Sequence, residues 1–439
     1  MRRCMLKSKL FSRGLLIILL VFGLTAQVIS ENQKVRQKFE KNDTLEQIRE
    51  KIRQNGYRFK VNHNWVYDMS AEEKESFYGR RPSSIVSKSG KSDDIGPLER
   101  YLDKKVLPAR FDWRNHNGHS FIGPVRNQGY CGSCYAFGAA AAAEGTYNVA
   151  MNRFDGNCID LSESFIMWCL GSLPEFNFHF YGCDGADYDY MELQALVQYG
   201  IVRESDYPYS TSFNGNCTHW NDPMIKFSQW YRVPCGDIDA IKTAIMTFGV
   251  VDAAVMVTSA FEAYDSGVYQ DSNTTCYASP CYYTPTNHAI ALVGWDDSDG
   301  AFILRNSWGS SWGENGYMKI KYNSAIVACE VTYLSISDIV MQLSVSRETL
   351  DMWVFNQEYA DINLVVDKNN NIDVHKYIIY KKEAGGTYQF LAEVADAQLQ
   401  DNAFSFLDKQ LVPGMTYSYK AMAMDSNGII IGNSSEITI

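Results

Sequence analysis

Five consecutive alanines, Ala139 to Ala143, stand between Gly138 and Glu144. Alanine loses no side-chain entropy on entering a helix, so this run has little choice of structure and fixes a helix directly behind Cys134. The cysteine itself sits in the segment Gln128-Gly-Tyr-Cys131-Gly-Ser-Cys134-Tyr-Ala-Phe. At a helix N-terminus the unpaired N–H groups and the positive end of the dipole favour thiolate over thiol. A nearby imidazolium would lower the ordinary pKa of roughly 8.5 by several units more. Such a thiol needs a histidine that folds back onto it.

His288 is the best candidate, because it opens the apolar, strand-like run His288-Ala-Ile-Ala-Leu-Val-Gly-Trp295, a rigid mount for an imidazole. Asn306 lies in Ile303-Leu-Arg-Asn306-Ser-Trp308-Gly309, where its amide could orient the ring while Trp308 keeps water off that bond. Taken singly, each has a plain structural reading: a buried thiol, a core histidine, a turn former. Together they make an acyl-transfer set of nucleophile, base and orienter. The other histidines lie in the N-terminal segment (His63), in polar or aromatic loops (His116, His119, His179, His219) or near the C-terminus (His375).

At these residues the chain resembles the papain-like cysteine peptidases, and the cysteine segment is close to the C-G-[SA]-C-[WY] signature used to recognise them. The resemblance runs from about Leu107 to Leu334 through Phe111-Asp-Trp-Arg114, Pro124-Val-Arg-Asn-Gln-Gly129, Leu161-Ser-Glu163, Tyr181-Gly-Cys-Asp-Gly185, Tyr207-Pro-Tyr209 and Trp312-Gly-Glu-Asn-Gly-Tyr317, in family order. It implies an α+β, two-lobe fold, with a helical lobe starting at Cys134 and a β-barrel-like lobe carrying His288 and Asn306. It also implies that Gln128 and the Cys134 N–H form the oxyanion hole. No cofactor and no metal are expected. By the same resemblance the disulfides are Cys131–Cys183, Cys169–Cys217 and Cys281–Cys329, leaving Cys158, Cys235 and Cys276 unassigned. Zinc is a poor alternative, since no second close Cys or His pair complements Cys131 and Cys134.

Residues 1–30 read as a secretory signal: Arg2, Arg3, Lys7, Lys9 and Arg13 precede the apolar run Gly14 to Thr25, which is too short for a comfortable membrane span. Location is therefore expected to be secreted or otherwise extracytoplasmic, where cysteines pair. Residues 1–30 carry +5 and residues 31–107 carry 17 basic against 13 acidic side chains, so residues 108–439 hold −20 within the formal −11 of the chain. An acidic body argues against nucleic acid and anionic membranes as partners.

Residues 31–107 resemble an inhibitory propeptide, with Leu45, Ile48 and Ile52 at helical spacing and Asn62-His-Asn-Trp-Val-Tyr-Asp-Met-Ser-Ala-Glu-Glu73 similar to the part that docks on the enzyme. A polar stretch, Gly79 to Gly96, follows, and cleavage is expected near Lys104 to Pro108. The peptidase is expected to span 108–337. Beyond it, residues 338–439 alternate short apolar strands with Asn, Gly and Asp turns, which reads as an all-β sandwich. Leu411-Val-Pro-Gly-Met-Thr-Tyr417 resembles fibronectin type III domains, with Tyr417 at the tyrosine-corner position. Asp367 to Asp373 imitates a calcium loop but has Ile372 where the turn glycine belongs, and reads as a hairpin turn.

Three positions depart from the family pattern. Tyr135 replaces a tryptophan, Asn287 replaces an aspartate, and Ala186 follows Gly185 where a second glycine would let substrate backbone approach, so its methyl is expected to weaken that contact. The resemblance places Gly185, Ala186, Tyr188, Ala289, Leu334 and Trp308 around the substrate, with Ala254 aligned less securely. These offer no carboxylate, which implies a hydrophobic side chain one position before the cleaved residue. The reading is a secreted cysteine endopeptidase acting on proteins or peptides and restrained by its own propeptide. The rivals are a binding protein whose C-terminal module takes a surface or protein ligand, and a papain-like exopeptidase.

Overall fold

The structure, a computed structural model, describes residues 36–79, 95–102, 106–176, 179–187, 190–213, 217, 225–272, 276, 286–336, 340–352, 355–367, 374–424, 430–434 and 436–439. The expected signal, most of the stretch 79–96, Tyr188, Cys281 and most of the calcium-like turn lie outside the described residues.

The alanine run forms part of the helix Cys134–Ala150, which starts at the cysteine as expected. It carries Glu144, Thr146 and Asn148 but is otherwise largely apolar on every face, and a helix of that kind must be enclosed. Ala136, Ala139, Ala140 and Ala143 enter one core with Leu161, Phe165, Leu193 and Leu196, while Ala141 enters a second with Trp295, Ile303 and Trp312. The helix is thus the seam between two lobes. Its glycine faces permit the fit: a Cβ on Gly145 would lie 2.2 Å from Val250, and one on Gly138 would lie 2.4 Å from the carboxylate of Asp252.

The second lobe is built on a sheet with strand order Gln229–Arg232, Glu330–Ser335, Val251–Val255, His288–Asp296, Ala301–Arg305, Tyr317–Lys321 and Val268–Tyr269. Arg110–Asp112 also pairs with His288–Asp296. The central strands are buried almost along their whole length, which matches their largely apolar sequence, broken by Asp252, His288, Asp296 and Arg305. Among the described residues the expected barrel-like closure is not found: the first and last strands of this path are not paired with each other. They are four and two residues long, and the last joins its neighbour in parallel while the rest are antiparallel. Among the described residues the sheet therefore stays open.

The N-terminal segment folds as its periodicity predicts. Leu45, Ile48 and Ile52 are the buried face of the helix Leu45–Asn55, whose Thr44 and Gln47 form a capping box. A second box, Ser70 with Glu73, starts the helix Ala71–Phe77.

Residues 340–439 form a separate all-β region of two antiparallel sheets. One holds Val340–Met352, Phe355–Asp367 and Ala403–Asp408; the other holds Gln389–Ala395, Lys376–Glu383, Tyr417–Met424 and Ile430–Asn433, with Ile437–Thr438 beside Tyr417–Met424. Ile362, Leu364 and Val366 alternate inward from the first sheet to meet Tyr377, Ile379, Tyr419 and Ala421 from the second.

Disulfides join Cys131 to Cys183 and Cys169 to Cys217. The third expected bridge is corrected: Cys329 pairs with Cys276, not Cys281. Cys276 and Cys329 share a small apolar cluster with Ile326 and Met256, and their Cα atoms are 5.3 Å apart, which suits a bridge. Two cysteines so close along the chain can be told apart only by the path of the intervening loop. Cys235 is also disulfide-bonded, and Cys158 is a free, half-buried thiol.

Candidate active site

Each of the three central residues sits at the end of a rigid element. Cys134 is the first residue of its helix, His288 the first of its strand, and Asn306 follows the strand Ala301–Arg305 directly. Cys134 and His288 have no exposed surface. The backbone N–H of Ala289 points at Cys134 Sγ from 3.4 Å, so the strand that carries the imidazole also presents a donor to the sulfur.

The tautomer of His288 follows from its partners. Asn306 Oδ1 lies 2.8 Å from His288 Nε2 and also accepts from the backbone N–H of Ser307 at 2.8 Å. The second bond fixes which amide atom is the oxygen, and an amide oxygen can only accept, so Nε2 carries the hydrogen. Nδ1 is left bare as a proton acceptor. The Trp308 ring covers this pair, its centroid 4.6 Å from that of His288. Burial pushes the His288 pKa down to about 4, against the opposing pull of the Asn306 bond, so the ring is neutral at ordinary pH in this state.

Gln128 is fully buried and held at both ends. Its Oε1 accepts from Ser307 Oγ at 2.6 Å, which turns the amide NH₂ outward, where Nε2 donates to Cys131 O at 2.7 Å and to Phe77 O at 3.2 Å. Ser307 was not singled out from sequence, although its place beside Asn306 was a usable signal. Behind the site Glu144 and Arg305 pair at 3.2 Å, both almost fully buried, and tie the central helix to the strand that ends just before Asn306. Burial raises the Glu144 pKa, and the guanidinium opposes this.

The space over the thiol is filled by the chain's own N-terminal segment. A Cβ on Gly79 would lie 1.9 Å from Gly132 O and 3.0 Å from Cys134 Sγ, and one on Gly185 would lie 2.5 Å from Gly79 O. Only bare backbone fits between these walls. Gly79 O accepts from the Ala186 N–H at 2.7 Å. The expected weakening by the Ala186 methyl is therefore corrected: the residue is fully buried and packs in the helical-lobe core with Phe180, so its methyl turns away while its N–H faces the cleft.

Upstream of Gly79 the segment is anchored on 259–269 of the β lobe. Lys60–Val61 pairs with Tyr264–Ser266, Asn64 Nδ2 donates to Glu262 O at 2.8 Å, and Trp65 Nε1 donates to Trp308 O at 3.0 Å. Lys74 Nζ meets Glu262 at 2.8 Å with side chains 10% and 2% exposed, and the Tyr78 hydroxyl bonds the same carboxylate. Nothing in the sequence pattern pointed to Glu262. Of the expected substrate residues, Gly185 and Ala186 touch this segment and Trp308 covers His288. Ala289, Ala254 and Leu334 are buried side chains of the adjoining strands.

The sequence model of the papain family cysteine protease matches residues 107–339. Mouse pro-cathepsin H is 31% identical over 304 residues, covering 67% of this chain and 84% of that one. Cysteine proteinase 2 of Entamoeba histolytica is 33% identical over 255 residues, covering 56% and 74%. Among solved structures, the digestive procathepsin L2 proteinase from Tenebrio molitor larval midgut matches with a TM-score of 0.53 at 26% identity, over 66% of this chain and 88% of that one.

Proposed function

Because the chain belongs to the papain family of cysteine proteases, we propose that Cys134 is the nucleophile, His288 the acid and base, Asn306 its orienter and Gln128 the side-chain donor to the oxyanion. The protein hydrolyses peptide bonds through a cysteine and is made as a precursor. In our reading Nδ1 of His288 takes the thiol proton, and the sulfur attacks the scissile carbonyl. The new oxyanion is held by Gln128 Nε2 and the Cys134 N–H. The imidazolium then gives its proton to the leaving amine. A water, deprotonated by the same ring, attacks the thioester, and the acid leaves with the sulfur restored as thiol.

The observation that carries this reading is the placing of Phe77 O on Gln128 Nε2 and of Gly79 against Cys134 and Ala186. A peptide backbone already lies where a substrate would. Of the expected propeptide 31–107, the stretch from Phe39 to Gly79 supplies the block. Endopeptidase action, and a hydrophobic preference one position before the cleaved residue, remain the finer proposal, supported by the uncharged Ala254, Ala289 and Leu334. Disulfides support an extracytoplasmic location. For residues 338–439, a fibronectin type III-like module with a surface or protein ligand is supported by Tyr417, whose hydroxyl accepts from the Val412 N–H at 3.1 Å.

The test is acid activation of the purified precursor followed by mass spectrometry with a thiol-reactive epoxide, using Cys134→Ala as control. Adduct at Cys134 together with peptide hydrolysis is expected. An inert Cys134 in folded, processed protein would remove the assignment and turn attention to the C-terminal region.

A further inference from the structure

A second part of the N-terminal segment is docked away from the cleft. Ile95 leads into a 3-10 turn, Gly96–Leu98, and a single helical turn, Glu99–Leu102. Pro97 and Leu98 are buried, and Leu98 has no exposed surface. The hydroxyl of Tyr333 binds this stretch twice, accepting from the Leu98 N–H at 3.3 Å and donating to Ile95 O at 2.6 Å. Tyr333 stacks between Tyr231 and Phe248, with centroids 5.4 and 4.6 Å away, and Tyr101 meets Phe248 edge-on. Gly96 has φ +56°, and a Cβ there would lie 2.3 Å from the Tyr231 ring. The turn is therefore shaped to this aromatic face.

The face is not the one that serves the cleft. Tyr333 and Leu334 are neighbours on one strand, so their side chains point to opposite sides; Leu334 enters the helical-lobe core and Tyr333 the β-lobe core. Leu98 belongs to that same β-lobe core, as Leu102 and Leu107 partly do. The following Pro108 O accepts from Trp295 Nε1 at 3.0 Å. Ile95–Leu102 is thus seated on the peptidase's β lobe.

We propose that Ile95–Leu102 is an N-terminal strap of the working peptidase, seated on Tyr231, Phe248 and Tyr333, and is not part of the inhibitor that leaves. This rests on the cysteine-protease reading above. The strap fills a groove that would otherwise expose stacked aromatic rings. It also moves the productive cut: the chain must open upstream of Ile95, not near Lys104 to Pro108. A cut at Lys104–Pro108 would leave the cleft segment joined to a strap still seated on the enzyme, so inhibition would persist.

Two full-length precursors test this, one with the recognition sequence of an unrelated site-specific protease placed within residues 84–90, the other with it within 103–107. After cutting at pH 5, each is passed over a sizing column, weighed by intact mass and reacted with the epoxide. Expected for the first is a peptidase fragment that retains residues 95–107 and labels at Cys134. For the second, residues 36–102 should stay bound and labelling should be at least about tenfold slower. In the first cut enzyme, Leu98→Ala should lower Tm by roughly 5–10 °C, and the milder Tyr101→Ala should lower it less. Equal labelling after either cut, with residues 36–102 lost and Tm unmoved by both variants, would overturn the strap. Absence of label after either cut would instead sink the cysteine-protease reading, while fragment retention and Tm would still decide the strap.

Discussion

Phe77 O lies 3.2 Å from Gln128 Nε2, so a carbonyl of the chain's own inhibitor occupies the donor assigned to the oxyanion. In our proposal one amide thus serves restraint in the precursor and catalysis in the open enzyme.

Gln128→Ala should separate those two uses. In the activated enzyme kcat is expected to fall by roughly a hundred- to a thousand-fold, the usual loss for one oxyanion donor, with KM little changed. Steady-state kinetics on a peptide substrate, with active sites counted by epoxide, would check this. A loss confined to KM would assign Gln128 to ground-state binding only.

Gly79→Val should loosen the block while leaving Cys134, His288, Asn306 and Gln128 unsubstituted. Its side chain would have to enter space held by Gly132 O and Cys134 Sγ. Uncut precursor carrying the change is expected to label at Cys134 at least about tenfold faster than wild type, because overpacking against backbone typically costs on the order of 1–3 kcal/mol. An unchanged labelling rate would mean that Gly79 does not guard the thiol.

Lys74→Met removes one partner of a buried ion pair and leaves the Glu262 carboxylate with the Tyr78 hydroxyl as its remaining hydrogen-bond partner from the prosegment among the described residues. Breaking such a pair typically costs about 3–5 kcal/mol. A synthetic peptide of residues 36–79 bearing the substitution should inhibit the open enzyme at least about a hundredfold more weakly. Equal inhibition would show that the aromatic contacts of Trp65 and Phe77 suffice.

The pH dependence of docking follows from His288. Burial lowers its pKa from the ordinary 6.5 to about 4 in the docked state, so docking favours the neutral ring to the extent that the open cleft exposes it. That preference costs nothing above pH 6.5 and grows as pH falls towards 4, by at most about tenfold in affinity per unit. Inhibition of Cys134→Ala enzyme by the 36–79 peptide, followed as binding, should weaken across this window. His288→Gln should flatten that part of the slope. Identical slopes for the two enzymes would place the acid response on other groups.

Cys276→Ser is expected to lower stability by roughly 2–5 kcal/mol, since it opens a bridge between residues 53 apart in sequence. Thermal unfolding under non-reducing conditions would show it. An unchanged Tm would restore Cys281 as the partner of Cys329.

The convergence of Cys134, His288 and Asn306, our proposed catalytic set, was legible because its members sit in short local contexts: an alanine-forced helix behind Cys134, an apolar strand after His288, a tryptophan beside Asn306. Local context also marked Leu45, Ile48 and Ile52 as one helical face. What could not be read depends on long-range geometry. Glu262 meets Lys74 across 188 residues, and Cys329 chooses between two cysteines by the path of a loop. Ala186 was misjudged for the same reason, since whether its methyl faces substrate or core is decided by the turn at Gly185, not by its identity.

Residues 80–94 connect the cleft segment to the peptidase in one chain, so inhibitor and enzyme are present in fixed one-to-one ratio whatever the amount made. Dilution alone cannot switch the precursor on. Severing that connection turns a unimolecular contact into an encounter between two molecules, which becomes rarer as they disperse. The same cut would therefore release far more activity in an open volume than in a crowded vesicle.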